Sequence, residues 1–230
     1  MAYPSVKEFE KALFAMPLED VVKNYVFEGK PFAFRGRPRA LAILRRHLHA
    51  RLSVADENVV VIGSGKIGFS LNPHTYGRRF SEFSDIDVVV VDGRLFDKVW
   101  LAMLEWNYPR SGPRRARLYG ADLKWATDRK EELYWGWFVP DRIRYTGLSL
   151  PDVLRPLRDM STAWFNAFQS VSRYQEFAGR NVSGRLYRTW EHALLYHIDG
   201  LRQIVRDIER AKEGEGCDEI HLNGSDNKLV

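Results

Sequence analysis

Val59-Val60-Val61-Ile62-Gly63-Ser64-Gly65-Lys66-Ile67-Gly68, followed after a polar loop by Phe83-Ser84-Asp85-Ile86-Asp87-Val88-Val89-Val90-Val91, decides how this chain reads. The β-branched run Val59 to Ile62 suits a buried strand, because branched side chains fit a pleated, packed surface. Val88 to Val91 is a second such run. Side chains two apart on a strand share a face, with backbone positions about 6.5–7 Å apart. Asp85 and Asp87 therefore project together, and Ile86 faces the other way. Two carboxylates so placed suit a hard divalent cation, Mg²⁺ or Mn²⁺, which prefers oxygen ligands. In two-metal sites the ions lie about 3.5–4 Å apart and stabilise the attacking and leaving oxygens of a phosphoryl displacement. Without a cation the two acids repel and one pKa rises.

Two other phosphate-handling patterns compete for the same glycines. Gly63-Ser64-Gly65-Lys66-Ile67-Gly68 matches the dinucleotide pattern G-x-G-x-x-G after a strand, with an acid about 20 positions on. That pattern needs a helix rising from the glycines to receive the pyrophosphate. Here Phe69-Ser70-Leu71-Asn72-Pro73 leads into a loop, and the acids open the second strand where they should close it. A phosphate loop of the form G-x-x-x-x-G-K-[ST] requires lysine at 69, where Phe69 stands.

Outward from this centre, residues 5–24 read as one or two short amphipathic helices interrupted near Pro17, and Arg39 to Val54 as another. Leu95 to Trp106 is expected to be helical. Residues 107–117 form a basic loop, and Gly120 to Trp137 again reads as helix. Helices follow from Pro151 to about Phe177, then a short strand from Val182 to Tyr187 and a long helix from Trp190 to Arg210. The polar, Gly-rich end from Glu213 reads as loose. No internal repeat is visible.

Lysine and arginine exceed aspartate and glutamate by 35 to 30, a net charge of +5. The excess clusters at Arg35, Arg37, Arg39, Arg45, Arg46 and Arg51, and at Arg110, Arg114, Arg115 and Arg117. Such runs are solvated faces or attract phosphate-bearing ligands. Cys217 is the single cysteine, so no disulfide framework forms and a reducing, cytoplasmic setting is expected. The charged N-terminus does not read as a signal peptide, and no apolar run is long enough to span a membrane.

At the strand–Gly63-Ser64–loop–Asp85-x-Asp87 pattern, with Gly68 downstream, the sequence resembles the DNA polymerase beta-like nucleotidyltransferase superfamily. The likeness covers residues 58–106 well and the remainder loosely. It implies an α/β (α+β) fold with a small mixed sheet flanked by helices. Residues 1–150 would be the core with its N-terminal helices, 151–212 a helical segment packed on it, and 213–230 a flexible tail. It implies a metal-dependent enzyme that moves a nucleoside monophosphate from a nucleoside triphosphate to a nucleic-acid, nucleotide, protein or small-molecule hydroxyl. Compact relatives of this type are often associated with toxin–antitoxin or anti-phage systems. A catalytically inactive nucleotide sensor, or an RNA-binding protein on the same fold, is the alternative.

By the same resemblance Gly63 and Ser64 grip the triphosphate through backbone N–H groups and the Ser64 hydroxyl, and Asp85 and Asp87 hold the metal. Lys66, Arg78 and Arg79 are further phosphate candidates, each equally readable as a surface cation. The family pattern carries a third carboxylate on a later strand, whereas Val182 to Tyr187 has none. Glu191, just beyond it, is the expected substitute, with Asp122 and Asp141 as others. His192, Tyr196 and His197 lie on one helix, but the histidines are five apart, off the i, i+4 face of a helical zinc pair. Trp135, Trp137 and Phe138 read as packing or as a base-stacking platform. Arg185 and Arg188 bracket Tyr187, to orient a nucleotide or to pair with nearby acids.

Overall fold

The computed structural model describes residues 3–109, 120–141 and 152–222. Helix α1 (Val6–Ala15) begins at a reciprocal cap: the Ser5 backbone N–H donates to Glu8 at 2.7 Å and the Glu8 N–H donates to Ser5 Oγ at 3.3 Å. Pro17 separates it from α2 (Leu18–Val21), which runs into a π-helical segment, Val22–Phe27. Helix α3 (Ala40–Leu52) leads to strand β1 (Val59–Ile62), and a single turn, α4 (Ser64–Ile67), follows. Strand β2 (Ile86–Val91) opens at Ile86, so Asp87 lies within the strand and Asp85 just before it. Asp92 caps α5 (Gly93–Asn107) by accepting from the Leu95 N–H at 2.8 Å.

Helix α6 (Gly120–Tyr134) is shorter than the sequence implies. Gly136, at φ +73°, turns the chain, and Trp137, expected to end the helix, forms strand β3 (Trp137–Phe138) with Phe138. Helix α7 (Arg155–Val171), strand β4 (Val182–Tyr187) and helix α8 (Trp190–Leu222) are the last elements of the described residues. The expected loose tail from 213 is helical through Leu222. The basic stretch 110–119 and the connection 142–151 fall outside the described residues.

The sheet order is β1-β2-β4-β3, with β1/β2 antiparallel, β2/β4 parallel and β3/β4 antiparallel. The α+β class with a small mixed sheet is therefore as expected. Antiparallel pairing of β1 with β2 excludes the dinucleotide reading, whose two strands must be parallel. Strand β4, from the segment after residue 150, sits inside the sheet between β2 and β3.

One face of the sheet (Val59, Val61, Ile86, Val88, Val90, Val182, Leu186, Phe138) packs on α3, α5 and α7 through Leu44, Leu48, Phe96, Val99, Trp164 and Phe168. Gly184 admits the Phe168 ring, since a Cβ there would come within 2.3 Å of it. On the other face Val89, Val91 and Tyr187 meet Ala193 of α8, with Phe27 and Trp190 alongside. The N-terminal helices close over α8 through Phe9, Leu13, Val22, Leu194, Ile198 and Leu201.

Candidate active site

Pairing across β1 and β2 sets Ile62 opposite Asp87, so the turn after β1 lies beside the acid pair. Gly63 takes φ +61°, ψ −145°, a conformation held almost solely by glycine. A Cβ there would stand 3.4 Å from Asp87 Oδ2. The Lys66 and Ile67 N–H groups donate to Gly63 O at 3.0 and 3.3 Å, and the Gly68 N–H to Ser64 O at 3.0 Å. Ser64 and Gly65 are the first residues of that turn, and their N–H groups have no acceptor within it. Gly68, at φ +99°, ends the turn against the Phe32 ring.

Asp85 and Asp87 are both exposed. Protein nevertheless surrounds Asp87 closely, and desolvation raises its carboxyl above the ordinary carboxylate range; the Ser183 hydroxyl lowers it, Asp85 raises it and Arg185 lowers it. Ser183 Oγ donates to Asp87 Oδ1 at 3.1 Å, as its register opposite Asp87 on β4 allows. Arg185 shares that face. Its guanidinium lies 4.6 Å from the Trp137 ring centre and 4.4 Å from that of Tyr196. The Tyr187 and Tyr196 hydroxyls, facing it, also attract its charge.

The donor set fits a hard divalent cation. Two carboxylates and a hydroxyl are all-oxygen chemistry, and a cation would offset the desolvation and, after it, the Asp85 charge that raise Asp87. Asp85 and Asp87 would hold it. Among the described residues no three His, Cys, Asp or Glu side chains gather to hold a metal, so the protein ligands here are the two carboxylates and the hydroxyl alone.

The remaining candidates divide clearly. The loop after Gly68 folds back, with the Phe80 N–H donating to Gly68 O and the Ser70 N–H to Arg78 O, both at 2.8 Å. Arg78 and Arg79 thus lie beside the end of the Ser64–Ile67 turn, exposed. Lys66, by contrast, is buried. Its ammonium donates to Gly29 O at 2.7 Å and Phe27 O at 3.2 Å, and desolvation first, then Arg45, lowers its pKa to about 8. It ties the turn to the π-helical segment instead of facing a phosphate.

Glu191 is not brought to the acids. Strands β2 and β4 run parallel, so α8 leaves from the end of the sheet opposite Asp87, about 13 Å away along four strand residues. There Glu191 acts electrostatically on Lys23. Asp141 follows β3, which heads back along β4 toward Ser183 one strand further out; the Asp122 side chain lies outside the described residues.

His192 packs on Gly136 and hydrogen-bonds Thr189 at 2.7 Å, and His197 is enclosed by Phe27, Tyr187 and Tyr196, with desolvation driving its pKa down to about 3. Phe138 is core, Trp137 carries Arg185, and Trp135 stands exposed against Tyr134. Arg188 pairs with Asp97 at 2.9 Å, away from the site.

Ser183 escaped the sequence reading, and Arg185 entered it only as a neighbour of Tyr187. The alternation of β4 held the signal: Ser183, Arg185 and Tyr187 share one face. Which strand that face joins is decided by pairing across nearly a hundred residues. Comparison of the whole chain with family models, curated proteins and solved structures gives no match to any of the three.

Proposed function

We propose that the chain is a metal-dependent nucleotidyltransferase, moving a nucleoside monophosphate from a nucleoside triphosphate to an acceptor hydroxyl. One observation carries this reading: Asp85, just before β2, and Asp87, near its start, stand directly beside a Gly63-Ser64 turn whose backbone only glycine readily adopts, with Asp87 Oδ2 only 3.4 Å from where a Gly63 Cβ would stand. The first N–H groups of the turn and the Ser64 hydroxyl bind phosphate oxygens. Arg78 and Arg79 add positive charge at its far end. Asp85 and Asp87 hold Mg²⁺ or Mn²⁺, which when bound neutralises charge on the transferring phosphate. The acceptor oxygen forms a bond to the α-phosphorus, the bond to the β-phosphate oxygen breaks, pyrophosphate leaves and the hydroxyl proton is released. Rate comes from positioning and electrostatics, without a covalent intermediate.

The test is pyrophosphate release from each labelled NTP and dNTP with Mg²⁺ or Mn²⁺, with label followed into protein, nucleic acid and small products. The labelled fraction identifies the acceptor class, and absence of release from every nucleotide rejects the enzyme. A second reading, a nucleotide sensor without turnover, draws on Ser183: β4 offers a hydroxyl opposite Asp87, and Glu191 stands at the other end of the sheet. A general base is then missing from these positions. Tight metal-dependent nucleotide binding with no pyrophosphate release is the sensor's result.

A further inference from the structure

Three charged groups and one hydroxyl share the open end of this sheet face. Asp85 and Asp87 lie on the β2 side; Ser183 and then Arg185 follow along β4. Ser183 Oγ, not the guanidinium, is the group in hydrogen-bond contact with Asp87. Arg185 is fixed between Trp137 and Tyr196, at 4.6 and 4.4 Å from their ring centres, and so is kept from collapsing onto the acids.

We propose that this site takes one divalent cation per chain and not a pair, with the Arg185 guanidinium supplying the second positive charge. The inference rests on the nucleotidyltransferase reading and specifies the metal content of that same site. Two lines of reasoning support it. The first is ligand supply: a pair of close cations needs carboxylates to share between them, and the β4 position facing Asp87 offers a hydroxyl that already donates to one carboxylate oxygen.

The second is charge. Before nucleotide binds, two carboxylates and one guanidinium leave the site at minus one; one divalent cation brings it to plus one, and two would bring it to plus three. Arginine stays protonated throughout the accessible pH range, so the Arg185 charge cannot be shed. Its planar fork also matches phosphate oxygens, giving it a place against the triphosphate that a second cation would otherwise occupy. Arg185 is thus a positioning group for the nucleotide as well as a charge.

Mn²⁺ titration followed by electron paramagnetic resonance counts the ions directly. It is run on the full chain with and without a non-hydrolysable NTP analogue, subtracting ions still bound by the Asp85→Ala/Asp87→Ala variant. One ion per wild-type chain is expected, and one in Arg185→Lys, which keeps the charge. Two are expected in Ser183→Asp/Arg185→Gln, which adds a carboxylate and removes the competing charge. Near-ultraviolet circular dichroism confirms that each variant counted is folded. Two site ions in the wild type, or a count fixed at one in the folded double variant, overturns the inference and leaves the transferase reading standing. No site ion at all in the wild type overturns both.

Discussion

Along the face of the sheet turned to α3, α5 and α7, every strand residue is apolar or glycine, from Val59 and Ile86 to Leu186 and Phe138. The opposite face begins with Asp87, Ser183 and Arg185 and becomes apolar only at Val89, Val91 and Tyr187. The first face buries large side chains to completion; the second leaves one end open and sets two like charges there. The difference teaches where stability and chemistry reside in this chain. Packing on one side lets the other tolerate a repulsive acid pair, a common bargain at sites whose charges await a ligand.

Four substitutions break or sharpen that contrast. Leu186→Ala, on the packed face, removes a fully buried side chain and should cost about 2–5 kcal/mol in denaturant unfolding. Mn²⁺ binding per folded molecule should be retained, because Ser183 and Arg185 project from the other face.

Gly63→Ala acts at the seam between the faces. Alanine at φ +61° is strained, and its Cβ meets Asp87. A loss of about 1–3 kcal/mol in stability is expected, accompanied by loss of metal-dependent nucleotide binding measured by calorimetry. Unchanged nucleotide affinity would remove the turn from the site.

Lys66→Met tests burial of a charge. Burial holds the Lys66 ammonium near pKa 8 in the fold, below the ordinary value of about 10.4 in the unfolded chain. Between those values the unfolded state binds the extra proton, so wild-type stability gains an upward slope with pH there. The variant should lack that contribution, seen as a difference between the two stability–pH curves from pH 8 to 10.

Asp87→Asn is the smallest change. Desolvation, with Asp85 adding to it, raises the Asp87 carboxyl in the fold, so its ionised form costs stability above the ordinary carboxylate pKa of about 3.9. Without metal the variant should show a slightly higher Tm at pH 7, and the difference should vanish as the pH falls toward 3. With Mn²⁺ the order should reverse.

Much of the fold was legible where the hydrophobic pattern was local and unbroken. Val59 to Ile62 and Val182 to Tyr187 appear as strands at the boundaries read from sequence, and the acid pair stood out by its spacing of two. Strand β3 was hidden because two aromatic residues carry no period, and Gly136, which turns the chain out of α6, looks like any helix-end glycine. Lys66 shows a related limit: a lysine beside a Gly-Ser turn suggests phosphate or a surface cation, and only the fold brings the Phe27 and Gly29 carbonyls to it. Glu191 is near β4 only along the chain. The parallel pairing of β4 with β2 sends that end of the strand away from Asp87.

The most direct test of the account compares wild-type and Asp85→Ala/Asp87→Ala chains in a pyrophosphate-release assay with Mg²⁺ or Mn²⁺, unfolding curves being taken on the same preparations. Release by the wild type, a fall of at least ~10³-fold in the variant, and an unchanged or higher metal-free Tm in the variant are predicted, since several kcal/mol of charge stabilisation vanish while the packed face stays intact. Equal release by both chains, or release by neither, would contradict it.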